Sequence, residues 1–335
     1  IAAFHIGCMT AMSLWCQGRF FEAAEFASVA INQAANNGFS GIAGPLDAML
    51  VLSRCELELS QLNQAIETST RIEQMAESTR MWPWYFVGIG TRSRIHITQG
   101  RITHVVEEVA ALRERHKHLP TPNQLGWIID VTDVFLRFVL NDWKRADELL
   151  QRMPKIEMVR QMDMNVKFQS DPKKIPSFVE GLPENTPREK VSKFLYQATI
   201  NMDSENLALG YLNKALDVGA EVGYHEYFVR QHRLYPIMVK AAAAQPTVFR
   251  ESVVHEMTER IQAMNSDTGA LEEKLTSREL EILKHLTTGV PLSAIAKQLH
   301  ISQNTMKTHL RNVYRKLAVD GRHTAVEKAK KLLLI

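Results

Sequence analysis

Lys307, Arg311 and Arg315 recur every four residues along one segment, with Thr308 beside the first of them. Such a set does the chemistry of recognition and breaks no bonds. Ammonium and guanidinium groups donate to guanine O6 and N7, and a threonine methyl packs on the thymine methyl. Just upstream, Ser302, Gln303, Asn304 and Thr305 offer short polar side chains at a helix start, where backbone amides hold phosphate. No comparable set suggests catalysis. The histidines are scattered and no His/Asp/Glu group has metal-ligand spacing, so neither an enzyme nor a metal site is expected. Cys8, Cys16 and Cys55 also lack metal spacing and read as buried thiols of a reducing cytosol, placing the chain in the cytoplasm.

A helix must carry these side chains. Met306, Leu310, Val313 and Leu317 are spaced four, three and four, so they form a buried stripe, with Ser302 as N-cap. His309 lies beside that stripe and reads as a packing residue. Upstream, Thr276 and Glu279 have capping-box spacing, followed by Leu280, Leu283 and Leu286 and a Gly289 C-cap. Ile295, Ala296 and Leu299 mark a short second helix, and "HTAVEKAKKLLL" a final one. Two helices joined by a short turn, the second basic, make a helix-turn-helix candidate. The alternative is a solvated charged face on a helix that packs elsewhere.

Charge separates this segment from the rest. The chain carries a net +3; from Leu275 onward eleven Lys/Arg stand against four acids, a net of +7, leaving −4 on the remainder. A small basic module on a mildly acidic body points to a polyanion for the module alone.

The quoted pieces "LTSRE" (275–279), Gly289, "IAKQL" (295–299), "ISQNT" (301–305), "KTHLRNVYRKL" (307–317) and Arg322 with "AV" (325–326) resemble the LuxR-type DNA-binding domain. The sequence departs from the usual family pattern at "LSA" (292–294) and "AV" (318–319), neither on the base-reading face. The resemblance implies a four-helix helix-turn-helix domain over 275–335, with Lys307, Thr308 and Arg311 against bases. It implies backbone contacts from Arg278, Ser302, Gln303, Asn304, Thr305, Arg315 and Lys316. It also implies dimerisation through the last helix, by Ala325, Val326, Ala329, Leu332 and Leu333. There the alternative is a helix that only closes the small core.

The first 264 residues read as all-α. Four pieces repeat: "QGRFFEAAEFA", "LSQLNQAIETS", "QGRITHVVEEV" and "LNDWKRADELL". Each holds a turn residue (Gly18, Ser60, Gly100, Asn141) and, five positions on, a small or β-branched one (Ala23, Ala65, Val105, Ala146), with the turns 42, 40 and 41 apart. That period predicts stacked helical hairpins, a tetratricopeptide-like superhelix with helices longer than usual. Five prolines over 153–188 are expected to interrupt the array, which Ala208, Leu212 and Ala215 resume. A helix over roughly 249–264 then leads to a polar linker at 265–274.

Long hairpins ahead of a LuxR-type domain resemble, in architecture alone, the MalT-type ATP-binding regulators. No P-loop occurs in the chain, so no cofactor is expected in it, and ATP would belong to a domain preceding residue 1. The sequence, lacking an initiator Met, is expected to begin partway through a longer protein. The reading is a transcription activator: promoter DNA at the C-terminal module, a small-molecule or protein effector on the repeats, RNA polymerase as a further partner, and a homodimer or oligomer on DNA. No membrane contact is expected. Trp82, Trp84 and Tyr85 around Pro83 are the candidate effector platform; core packing is the alternative there, and more so for Trp127 and Phe135. A protein-binding scaffold with an accessory basic DNA-binding tail is the competing function.

Overall fold

The computed structural model describes residues 2–38, 45–119, 126–140, 142–155, 157–170, 176–267, 275–286, 290–299, 301–317 and 319–331. Every regular element among them is a helix. In order they are α1 Ala2–Gln17, α2 Phe20–Asn36, α3 Leu46–Glu58, α4 Leu62–Ser78, α5 Trp82–Thr98, α6 Ile102–Lys117, α7 Gly126–Val139, α8 Trp143–Leu150, α9 Glu157–Ser170 and α10 Pro176–Glu180. They continue as α11 Pro187–Ile200, α12 Glu205–Val222, α13 His225–Val229, α14 Tyr235–Ala244, α15 Val248–Asp267, α16 Ser277–Leu286, α17 Leu292–Gln298, α18 Gln303–Lys316 and α19 Arg322–Lys331. No helix among the described residues is long and apolar enough to cross a membrane.

The chain divides into two compact units, 1–259 and 260–335. The boundary expected at 264/265 falls earlier, inside α15, which runs on to Asp267 and into the segment read as a linker. Residues 268–274 of that segment lie outside the described residues.

In the first unit the repeat is built on its turns. Gly18 (φ 84°), Ser60 (φ 58°) and Gly100 (φ 75°) are all left-handed. In each case the next amide reaches back five residues: Arg19 to Leu14 at 3.0 Å, Gln61 to Glu56 at 2.8 Å and Arg101 to His96 at 2.9 Å. This closes the preceding helix in a Schellman turn and reverses the chain. Asn141 lies outside the described residues, but its neighbour Asp142 donates to Arg137 in the same way at 3.0 Å. The small residues that follow, Ala23, Ala65, Val105 and Ala146, are all completely buried. Each sits one turn into the second helix of its hairpin, where a short side chain lets the partner helix approach closely.

The two helices of a hairpin differ because their sequences do. α4 shows one buried stripe, Ala65, Thr68, Ser69, Ile72 and Ala76, on an otherwise polar helix. α3, "LDAMLVLSRCELE", is buried almost all round. It packs against α1, α2, α4, α5 and α13. The odd-numbered helices touch in series, α1 with α3, α3 with α5 and α5 with α7, and so form a continuous inner layer.

Residues 153–188 are not the plain break that their prolines suggest. The prolines mark helix starts: Pro176 and Pro187 begin α10 and α11, and the proline-free stretch between Pro154 and Pro172 is α9. This segment carries the chain back to its beginning. α11 packs on α1 and α13 on α3, and Val191, Leu195, Ala208, Leu212 and Ala215 share one core with Ala11, Leu14, Phe20 and Ala23. Polar bonds seal the return: Ser60 Oγ with His225 Nδ1 at 2.8 Å, and Thr98 Oγ1 to Glu226 at 3.2 Å.

The second unit is a four-helix module with its own core. Ile282, Leu283 and Leu286 of α16, Ile295 and Ala296 of α17, Met306, Leu310 and Val313 of α18, and Ala325 and Ala329 of α19 are its buried members. Leu280, expected in the α16 stripe, is only half-buried; Ile282 takes the core position. Gly289, the expected C-cap, lies outside the described residues.

Candidate nucleic-acid interface

α18 is fixed at both ends. Ser302 Oγ accepts from the Thr305 amide at 3.0 Å, capping the N-terminus. Val319 N–H donates to Tyr314 O at 2.9 Å just past the C-terminus. Met306, Leu310, Val313 and Leu317 are buried as their spacing requires, so the opposite face must point away from the core. On that face Lys307, Thr308 and Arg311 are exposed. At i, i+1 and i+4 the three share one patch near the helix start. Thr308 Oγ1 donates to Asn304 O at 3.1 Å, which holds the hydroxyl against the helix and leaves the methyl at the surface. Gln303, Asn304 and Thr305 are exposed around the capped N-terminus. Lys307, Arg311 and Arg315 also line a shallow groove with Leu292, Tyr314 and Asp320. His309, beside the stripe, is half-buried.

Two cations expected at the phosphate backbone are engaged inside the module. The Lys316 ammonium lies 2.8 Å from the Glu279 carboxylate, with the two side chains only 10% and 3% exposed. Arg278 donates to the Leu299 carbonyl and pairs with Glu281. Five residues beyond Arg311, Lys316 is turned from the exposed patch toward α16. Glu279 also completes the capping box, accepting from the Thr276 amide at 2.7 Å. Burial would raise the Glu279 carboxyl, but Lys316 and Thr276 more than offset that and hold it below the usual carboxylate value. Arg322 was singled out without a role. It donates to Leu286 O at 2.9 and 3.0 Å and to Val290 O at 2.7 Å, closing the C-terminal end of α16.

Of the dimerisation set, Ala325 and Ala329 are buried in the module's own core, Val326 is half-buried, and Leu332 and Leu333 lie outside the described residues.

In the first unit the structure gathers Trp82, Trp84 and Tyr85 at the start of α5, on a core with Leu46, Met49 and Ile72. Tyr85 is buried, Trp82 meets it edge-on with centroids 5.8 Å apart, and Arg115 covers both rings. Trp84 Nε1 donates to Asp47 at 3.0 Å. The rings thus lock α5 to α3 and α6, and the two tryptophans keep only partial exposure.

Spacing pointed to no metal cluster, yet the fold brings His96, His104 and Glu108 together with ligand atoms within 4.8 Å of one another. Arg92 and Ser93 hold the same carboxylate at 2.9 and 2.7 Å, setting a positive charge beside any ion that entered. Burial works against the Glu108 anion, but bonds from His96, Ser93 and Arg92 prevail and pull it down to about 2. The group is a polar lock between α5 and α6.

Comparison with known proteins falls on the second unit. The family model described as "Bacterial regulatory proteins, luxR family" matches residues 273–329. Those residues form a luxR-family helix-turn-helix domain. The chain is 49% identical over 65 residues to the probable csgAB operon transcriptional regulatory protein of Salmonella typhimurium. It is 49% identical over 65 residues to the CsgBAC operon transcriptional regulatory protein of Escherichia coli as well. Each alignment covers 19% of this chain and 29% of the relative, so the chain spans less than a third of the length of these curated relatives. No solved structure matches the chain.

Proposed function

We propose that the chain is a DNA-binding transcription regulator, an activator that reads promoter DNA with α18 and receives its signal on the helical-hairpin unit. The observation that carries this reading is the exposed Lys307, Thr308 and Arg311 patch on a capped helix whose opposite face is buried. In a major groove the two cations address guanine edges and the Thr308 methyl addresses thymine, while the amides at Ser302–Thr305 meet a phosphate. On this reading the hairpin unit serves as a MalT-type, tetratricopeptide-like sensor. With Ala325 and Ala329 buried in the module, Val326 is the described residue of that set left for dimer contacts on DNA. RNA polymerase and an effector, small molecule or protein, complete the partners of a cytoplasmic activator.

The test is binding of the full chain to promoter fragments selected from random duplexes. The double variant Lys307→Ala/Arg311→Ala should lose selective binding with an unchanged helical spectrum. A variant that binds the selected fragments as the wild type does would refute the assignment of α18.

A further inference from the structure

Within the first unit, the inner layer carries arginines that the fold gathers and does not neutralise. Arg54 and Arg94 occupy the same place in successive hairpins, six residues before the turn residues Ser60 and Gly100; Phe135 takes that place before Asn141. Arg188, at the start of α11, and Arg230, just after α13, come to the same spot from the returning segment. Arg188 donates to the carbonyls of Trp15 and Cys16, and Gly18 leaves it room: a Cβ there would stand 3.0 Å from its backbone. Arg230 Nη2 donates to both Glu58 oxygens at 3.0 and 3.1 Å, and its Nε lies 3.7 Å from Glu226. Arg94 reaches Glu58 only at 3.5 Å. Among the described residues, four guanidiniums therefore share two carboxylates, Glu58 and Glu226, which leaves two positive charges over.

The excess sits on Arg54 and Arg94. Arg54 makes no hydrogen bond or ion pair with any described residue; its guanidinium stacks over Trp15, 4.9 Å from the ring centroid. Arg94 stacks over Phe135 at 4.5 Å. The buried Nε–H of Arg54, Nε–H of Arg94 and indole Nε1–H of Trp15 have no acceptor among the described residues. Buried N–H donors without acceptors are costly, and fixed cations near one another repel. Burial and the nearby guanidiniums push both Arg54 and Arg94 down to about 10, yet both remain charged at neutral pH. Oxyanions satisfy all of these demands at once, because the guanidinium fork matches the two oxygens of a carboxylate or phosphate. Arg54 and Arg94 stay partly exposed, so the approach is open. Trp15 and Phe135 lie against the two guanidiniums, so charge and ring faces stand together, which suits a small organic anion.

We propose that Arg54, Arg94, Arg188 and Arg230, with Trp15, form a receptor site for a small organic oxyanion, a carboxylate- or phosphate-bearing metabolite. The anion would bridge α3 and α5 of the array to α11 and α13 of the returning segment. Binding would thereby favour one packing of the unit over another. The assignment rests on the proposal that this unit receives the signal, and it names the chemistry of that signal.

The test is calorimetric titration of the full chain with inorganic phosphate, succinate and citrate, at ionic strength matched with chloride. At least one should bind saturably. Arg54→Met and Arg94→Met should each weaken that binding about tenfold or more, as loss of a charge-assisted fork does. Neither should lower the melting temperature of the ligand-free protein by much, because Arg54 has no anionic partner among the described residues and Arg94 has only the 3.5 Å approach to Glu58. Arg19→Met, at a partly exposed arginine paired with Glu22, should bind as the wild type does. Phosphate against the two carboxylates separates the two sources of the oxyanion. No saturable binding by any of the three overturns the site. So does binding that both variants keep, or binding only of an acidic peptide such as oligoglutamate. Binding that leaves DNA affinity unchanged keeps the anion site and overturns its role as the input of the proposed regulator.

Discussion

The Lys316 ammonium and the Glu279 carboxylate lie 2.8 Å apart, nearly out of reach of water, at the junction of α16 and α18. Glu279 caps one helix while holding the end of the other, so the pair sets the angle at which α18 is presented. Removing one partner leaves a buried charge alone, which costs about 3–5 kcal/mol. Lys316→Ala should therefore lower the melting temperature of the C-terminal module, and weaken DNA binding only through unfolding. Because the folded Glu279 carboxyl lies below its unfolded value of 4.5, its stabilisation is present above pH 4.5 and lost as pH falls through the folded value. Acid titration of the module, followed by circular dichroism, should show that loss in the wild type and less of it in Lys316→Ala, where the Thr276 bonds remain. A Lys316→Ala protein of wild-type stability would remove the pair from the account.

The cationic patch predicts how binding responds to salt. If about four to eight phosphates are neutralised, log K against log salt should slope between about −4 and −7 for the full chain on duplex DNA. Fluorescence anisotropy across a salt series measures it. A slope near zero would contradict a groove binder built on Lys307, Arg311 and Arg315.

Glu56, on the inner helix α3, predicts a pH effect of opposite sign. Burial lifts its carboxyl to about 7, with Glu67 adding to the lift and Thr68 and Arg71 of α4 opposing it. The folded value exceeds the unfolded one, so the group stabilises the fold below about pH 4.5, and that contribution is lost as pH rises toward 7. Glu56→Gln should gain roughly 1–3 kcal/mol at pH 8 and nothing near pH 4.5. Melting curves of both proteins across that range check it. Equal melting temperatures at pH 8 would argue against a strained Glu56.

Much of the architecture was legible because it is local. Gly18, Ser60 and Gly100 announce themselves as turn residues at a regular spacing, and the buried alanine or valine five positions later follows from the same repeat. Arg80 also adopts a left-handed turn, φ 57°, but an arginine gives no hint of it, so the α4–α5 turn was silent. α9 was hidden by its neighbours: prolines on either side were read as one break, although none lies within the helix. The contact of Ser60 with His225 spans 165 residues and leaves no periodic trace. The same limit applies at the sites. Lys307, Thr308 and Arg311 could be placed on one exposed face by counting helical turns. Lys316 looked like another member of the basic set because charge says nothing about which neighbour faces it. Arg54 and Arg94 drew no notice as isolated arginines in apolar helices. Only the return of α11 and α13 onto the inner layer brings Arg188 and Arg230 beside them.

The central claim is that the Lys307, Thr308 and Arg311 face reads base edges. It is tested most directly by the binding preference of Arg311→Ala at every position of the selected site, compared with wild type and Arg315→Ala. Arg311→Ala should flatten the preference at one or two adjacent base pairs, losing about 1–3 kcal/mol there and little on random DNA. Arg315→Ala should weaken all sequences about equally, as a backbone contact does. Equal losses on selected and random DNA for Arg311→Ala would contradict direct readout by α18.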